Sequence, residues 1–131
     1  MKKLIIVLLL TFTKILYAQV SYLCISEKST GFQYNKSRQN WEFVQFNNKE
    51  KYVIKNTSST WDVRKMGDSN SLMLTCTKSK PNTIVDCTSV GEHFTFNPVG
   101  MKYIYYLSGG YAVPALFPDT PRIEIGVCSP I

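Results

Sequence analysis

Apolar and polar residues alternate along most of the chain that follows the amino-terminal segment. The clearest case is the run in which Ile123, Ile125 and Val127 alternate with Arg122, Glu124 and a glycine. A period of two packs one set of side chains and leaves the other in solvent, which is typical of β-strands. No window of about a dozen residues carries a sustained helical stripe. The pattern therefore predicts an all-β protein.

Short segments rich in Asn, Gly, Pro and Ser separate the alternating runs, for example Asn47-Asn48, Asn97-Pro98 and Gly109-Gly110. These residues adopt turn geometry readily or cannot continue a strand ladder. Many short strands at this spacing predict a small antiparallel barrel or sandwich. The predicted strands are 20–26, 31–35, 41–46, 51–55, 60–66, 71–77, 83–88, 92–97, 101–107 and 121–127.

Two stretches of the chain share one aromatic pattern, GFQYNKSRQNWEFVQF at 31–46 and HFTFNPVGMKYIYY at 93–106. We interpret each as a hairpin whose Asn enters the turn through the left-handed region or through side-chain hydrogen bonds, and whose aromatic residues meet across the ladder. Common ancestry of two halves and independent use of a frequent hairpin pattern both explain the match. Either way, we expect both stretches to be scaffold. A single offset without gaps aligns Phe32, Tyr34, Asn35, Trp41 and Phe43 with Phe94, Phe96, Asn97, Tyr103 and Tyr105.

The amino terminus, MKKLIIVLLLTFTKILYAQ, predicts a secretory signal peptide over residues 1–18 that is cleaved after Ala18. Its apolar run is too short to cross a bilayer, which takes a helix of about 20 residues, so we expect no stable membrane insertion after cleavage. Cleavage leaves 131 − 18 = 113 residues, and we expect 19–131 to form one all-β domain. The predicted location is periplasmic or secreted.

Much of the basic charge of the chain belongs to the predicted signal peptide. The net charge of +6 includes Lys2, Lys3 and Lys14, so the exported part carries +6 − 3 = +3. Its remaining lysines and arginines are interleaved with acidic residues, which is typical of a solvated surface. We therefore expect no nucleic-acid partner.

All four cysteines, Cys24, Cys76, Cys87 and Cys128, lie in the exported part. An even number of cysteines after a signal peptide predicts two disulfides. Four cysteines allow three pairings, and of these we favour Cys76 with Cys87 and Cys24 with Cys128. The first pair flanks a short polar segment, and the second would join the two ends of the domain. Closure of the longer loop is worth more in the chain-entropy model.

Catalytic and metal-binding chemistry find little support in the sequence. His93 is the one histidine, and a catalytic dyad would need a nucleophile when all cysteines are expected to be oxidised. No carboxylates cluster at ligand spacing, so we predict no metal site and no cofactor. The sequence favours a protein that is not an enzyme.

The stretch LSGGYAVPALFPDTPR, residues 107–122, is the best candidate for partner binding. Tyr111, Leu116 and Phe117 are residue types that anchor interfaces, and the prolines lower the entropy that a loop loses on binding. Alternatively, the segment folds across an open end of the sandwich and plugs it.

The stretches TGFQYNKSRQNWE, KYVIK, FTFN and DTPRIEIGVCSP resemble a group of small exported proteobacterial proteins. This resemblance implies an exported, disulfide-linked domain and carries no activity. Tyr22-Leu23-Cys24, Ser108-Gly109-Gly110-Tyr111 and Cys128 are similar to the periplasmic C-type lysozyme inhibitors, which are small β-barrels whose Ser-Gly loop enters the lysozyme cleft. That resemblance implies a partner-binding role for Ser108 and Tyr111. The loop here is one residue shorter before its tyrosine, no lysine follows it, and the central cysteine pair is additional.

Together these observations predict an exported, disulfide-stabilised binding or inhibitor module without catalysis. Its partner would be a protein or a glycan in the envelope or outside the cell. A structural envelope protein is the alternative, and a hydrolase comes third.

Overall fold

The computed structural model describes residues 20–47, 49–57, 60–67, 74–78, 84–111 and 120–131. The predicted signal peptide lies outside these residues. The described part contains nine strands, which are β1 (Ser21–Asn35), β2 (Asn40–Phe46), β3 (Lys51–Thr57), β4 (Thr60–Lys65), β5 (Thr75–Lys78), β6 (Val85–Ser89), β7 (Glu92–Asn97), β8 (Lys102–Leu107) and β9 (Arg122–Pro130). Within it, no helix has the length and apolar character needed to span a bilayer.

The strands form one antiparallel sheet in the order β4-β3-β1-β9-β8-β7-β6-β5, with β2 added beside β1. The two ends of this order, β4 and β5, lie next to each other, so the sheet curls into a nearly closed barrel. The predicted all-β fold is confirmed, and of the two predicted architectures it is the barrel.

The predicted strands 20–26 and 31–35 are one continuous strand, β1. Its pairing with β9 shifts register between Ser26 and Lys28, which is a β-bulge. A bulge inserts one residue into a strand and exchanges the faces to which the following side chains point. Ser26 is therefore buried before the bulge and Ser29 after it. The alternation of buried and exposed residues changes phase at the bulge without a turn. In the sequence this change of phase is indistinguishable from the end of a strand.

The core fills the barrel with inward-facing side chains from seven of the described strands, and Cys76 of β5 packs against it. Aromatic residues dominate it. Tyr52 packs against Phe94 with ring centroids 5.3 Å apart, and Phe94 stacks on Tyr103 at 4.9 Å. The fully buried large side chains include Tyr52, Ile54, Val63, Val85, Phe94, Phe96, Tyr105 and Glu124.

The favoured disulfide pairing is confirmed: Cys24 bonds Cys128 and Cys76 bonds Cys87. Each bond joins residues that face each other across a ladder, the first between β1 and β9 and the second between β5 and β6. Two disulfides indicate an oxidising compartment outside the cytoplasm.

Candidate functional site

The β1–β2 hairpin extends past the end of β9, whose pairing with β1 stops at Gly31. Beyond that point, Phe32 lies opposite Phe43 and Tyr34 opposite Trp41. Side chains directly opposite each other in a ladder point to the same face. The hairpin thus presents four aromatic rings on one face, outside the barrel.

These rings contact one another in two cross-strand pairs. The centroids of Phe32 and Phe43 are 6.4 Å apart, and those of Tyr34 and Trp41 are 5.5 Å apart, both pairs edge to face. Phe43 is 64% exposed, Phe32 51% and Tyr34 46%. Contiguous exposed apolar faces on a protein surface often mark interaction sites.

The turn that closes this hairpin is held by Asn35. Its side-chain Oδ1 accepts hydrogen bonds from the backbone N–H groups of Ser37 and Arg38, at 3.0 and 3.1 Å. Gln39 ends the turn in the left-handed region, at φ 54°. Arg38 also forms a 3.0 Å ion pair with Glu42. These contacts fix the hairpin, and with it the positions of the aromatic rings.

The β7–β8 hairpin repeats the same turn. Asn97 Oδ1 accepts hydrogen bonds from the backbone of Val99 and Gly100, both at 3.0 Å, and Met101 has φ 51°. The prediction that the two aromatic stretches are similar hairpins is therefore confirmed, with the Asn acting through its side chain. The two hairpins differ in burial, because Phe94 is fully buried in the core whereas its counterpart Phe32 is half exposed.

A groove runs between the first hairpin and the turn that follows β8. It encloses about 510 Å³ and is lined by Phe32, Trp41, Ser108, Tyr111 and Pro121, a volume within the usual range for ligand sites. The ring of Tyr111, 67% exposed, meets that of Trp41 edge to face at 5.6 Å. We call these lining residues the aromatic groove.

Backbone and side-chain hydrogen bonds hold the walls of the aromatic groove in place. The Phe32 N–H donates to the Pro121 carbonyl at 3.0 Å, which ties the hairpin to the segment before β9. The Ser108 N–H and hydroxyl both donate to the Gly91 carbonyl, at 2.8 and 3.2 Å. These hydrogen bonds connect the walls of the groove to β1, to the segment before β9 and to the turn at Gly91.

Two of the four residues predicted to bind a partner, Ser108 and Tyr111, line the aromatic groove. The other two, Leu116 and Phe117, lie outside the described residues. Sequence reasoning missed Phe32, Trp41 and Pro121. No local signal could have found them, because the two aromatic stretches alternate in the same way.

The outer face of β8 and β9 carries further apolar residues. Tyr103 and Tyr105 point inward and are buried, whereas Ile104 and Tyr106 point outward and are exposed by about 40%. His93 lies beside this face, with Nδ1 2.8 Å from the Tyr106 hydroxyl and Nε2 3.5 Å from Asp86. As predicted, His93 is a strand residue.

A carboxylic acid is buried inside the barrel. Glu124 is 1% exposed, and its Oε1 accepts a 2.8 Å hydrogen bond from the Tyr103 hydroxyl. Burial raises the pKa of Glu124, although this hydrogen bond and the nearby Arg122 guanidinium act in the opposite direction. Burial also raises the pKa of Tyr103, so its hydroxyl remains a donor. Among the described residues no group of three or more His, Cys, Asp or Glu side chains is arranged to hold a metal ion.

Comparison with known proteins gives no match to this chain among family models, curated proteins or solved structures.

Proposed function

We propose that this protein is an exported binding or inhibitor module, active in the periplasm without catalysis, and that it engages a protein partner through the aromatic groove. The predicted signal peptide over residues 1–18 would direct export and then be removed. The observation that carries the proposal is the exposure of Phe32, Tyr34 and Phe43 on a hairpin whose internal counterpart buries the equivalent rings.

The chemistry of the aromatic groove supports binding. The described part of its lining consists of Phe, Trp, Tyr, Pro and Ser, none of which carries a charge. Trp and Tyr are among the residues that contribute most to binding energy at interfaces, and they do so where their rings become desolvated. The turn and ladder contacts already fix these rings, so little conformational entropy is lost when a partner binds.

The experiment that tests the proposal is retention of partners from an envelope extract of the native host on immobilised oxidised protein. Trp41→Ser and Tyr111→Ser should each abolish retention of a protein that the unaltered chain retains. Val99→Ser is the matched control, since Val99 is 82% exposed in the turn of the other hairpin and does not line the groove. Equal retention by all variants would refute the proposal.

Lysozyme inhibition is a specific form of the same proposal. It is supported by the position of Ser108 and Tyr111 on the wall of the aromatic groove, because the likeness to the C-type lysozyme inhibitors rests on that turn. A stoichiometric excess of the purified protein should slow lysis of cell walls by C-type lysozyme, and Tyr111→Ser should remove the effect. Undiminished lysis would exclude this target and leave other partners open.

A further inference from the structure

Strand β2 pairs with β1 along one edge only, as far as the described residues go. It has the sequence NWEFVQF and pairs without any register shift. Proteins usually protect an exposed strand edge with lysine, proline, a bulge or a covering segment. The strand contains neither lysine nor proline, and the ladder contains no bulge. Among the described residues this edge is therefore free, and the one charged residue of β2, Glu42, is paired with Arg38.

The hydrogen bond of Phe32 identifies which backbone groups face the free edge. Phe32 donates its N–H to Pro121, on the side of β1 away from β2, so Phe32 and Phe43 face each other as a non-hydrogen-bonded pair. The N–H and C=O of Phe43 consequently point away from β1. Alternation along the strand gives the same direction to Trp41 and Gln45.

In the β7–β8 hairpin the outer strand edge is paired with a further strand, which the β1–β2 hairpin lacks among the described residues. Strand β8 corresponds to β2, and Tyr103 and Tyr105 take the places of Trp41 and Phe43. On the outer edge of β8, β9 pairs antiparallel, with Tyr103 opposite Gly126. The same local design thus occurs in this protein with its outer edge filled by an extended strand.

We propose that the free edge of β2 takes an extended segment of the partner polypeptide, which adds as an antiparallel strand along residues 41–45. This inference rests on the proposed function and names the class of partner for the same site. Backbone hydrogen bonds to Trp41, Phe43 and Gln45 align the segment. Apolar side chains at alternate positions of the segment pack on the aromatic face, beside Trp41 and Phe43.

Charge favours an acidic segment over a second copy of this chain. Lys36 stands at one end of β2, Lys49 and Lys51 at the other, and none of them has an ion pair within the described residues. Self-pairing centred on Phe43 would bring Lys36 of each copy beside Lys49 and Lys51 of the other. Like charges across a ladder are destabilising. Glu50, which lies between them, is already paired with Lys65 at 3.0 Å.

The test uses a synthetic peptide in which Val and Thr alternate and Glu residues stand at both ends, with binding measured by fluorescence anisotropy. Two backbone N-methylated forms share all side chains and the number of methyl groups, and differ only in which alternate amides are blocked. The bound peptide has one edge against β2 and the other in solvent. The form whose methyl groups block the amides that face β2 should lose about tenfold or more in affinity, while the form blocked on the solvent edge should bind like the unmethylated peptide. Equal affinity of the two methylated forms would overturn the inference.

A pair of substitutions tests the protein side. Gln45→Pro removes an N–H that faces the free edge, at a position where an edge strand tolerates proline, and Gln45→Ala retains it. Only Gln45→Pro should weaken peptide binding by about tenfold, with both melting temperatures near that of the unaltered protein. Equal binding by the two variants would contradict strand addition. A concentration-dependent dimer that Gln45→Pro disrupts would assign the edge to a second copy instead.

The two proposals fail in different ways. A native partner that is lost with Trp41→Ser but retained by Gln45→Pro would keep the aromatic groove as the binding site and refute strand addition. If the peptide binds with the expected edge dependence but no native partner depends on Trp41, strand addition is retained. The aromatic groove is then refuted as the binding site of a native partner.

Discussion

Phe32 and Phe94 occupy equivalent positions in the two hairpins and should respond differently to truncation. Phe94 is fully buried, so Phe94→Ala loses the transfer free energy of the ring and leaves a cavity, a cost of about 3–5 kcal/mol. Phe32 is 51% exposed. Its truncation opens no cavity, forfeits part of a transfer term of about 1.5–3 kcal/mol, and removes one cross-strand contact worth about 0.2–1 kcal/mol. We expect Phe32→Ala to cost about 1–2.5 kcal/mol.

Equilibrium unfolding in urea, followed by tryptophan fluorescence with both disulfides intact, measures these two free energies. The two costs should differ by about 2 kcal/mol at the middle of their ranges, because only Phe94→Ala leaves a cavity in the core. The slope of the free energy against urea must stay constant for the values to be compared. If Phe32→Ala lowered the free energy of unfolding as much as Phe94→Ala, the Phe32 ring would contribute to the core. The proposal that this ring belongs to a binding face would then be refuted.

Two further predictions concern stability. Replacing Cys24 and Cys128 by Ala should lower the free energy of unfolding by about 2 kcal/mol more than replacing Cys76 and Cys87, because the loops closed span 104 and 11 residues. Urea unfolding of the two double variants measures both losses, and equal losses would contradict the prediction. Because burial raises the pKa of Glu124 above its ordinary value of 4.5, the unfolded chain loses that proton first as the pH rises. Stability should therefore decline from about pH 4.5 until the folded-state pKa is passed, and Glu124→Gln should flatten this decline; parallel pH profiles would refute the assignment.

Most of the barrel could be predicted from the sequence because its strands expose one face to solvent. Each strand with one solvated face carries the period of two in its own residues, and each turn carries Asn, Gly or Pro. The division of β1 into two strands was wrong because a bulge and a strand end produce the same break in alternation. Only the partner strand distinguishes them, since β9 pairs on both sides of Ser26. That information is tertiary and is absent from any local window.

The candidate site was predicted only in part for a similar reason. The sequence indicates Tyr111 because it is a residue type that anchors interfaces and stands in an apolar segment that follows Gly109-Gly110. The groove also needs Trp41 and Pro121, which are distant in sequence and adjacent only because Phe32 bonds to the chain just before β9. Whether an aromatic strand face is core or surface depends on which strands flank it, and the alternating pattern is identical in the two cases.

The two hairpins have the same local structure but differ in the strands that flank them. Both turn on an asparagine side chain, both end the turn with a residue in the left-handed region, and both pair aromatic residues across the ladder. In the second hairpin β6 and β9 flank the two strands, and the barrel encloses the rings. In the first, the chain supplies the same rings and the same free backbone groups without a strand to cover them, among the described residues. Since solvent exposure of such a surface stabilises nothing, this contrast between the hairpins is the physical basis of the proposed strand addition.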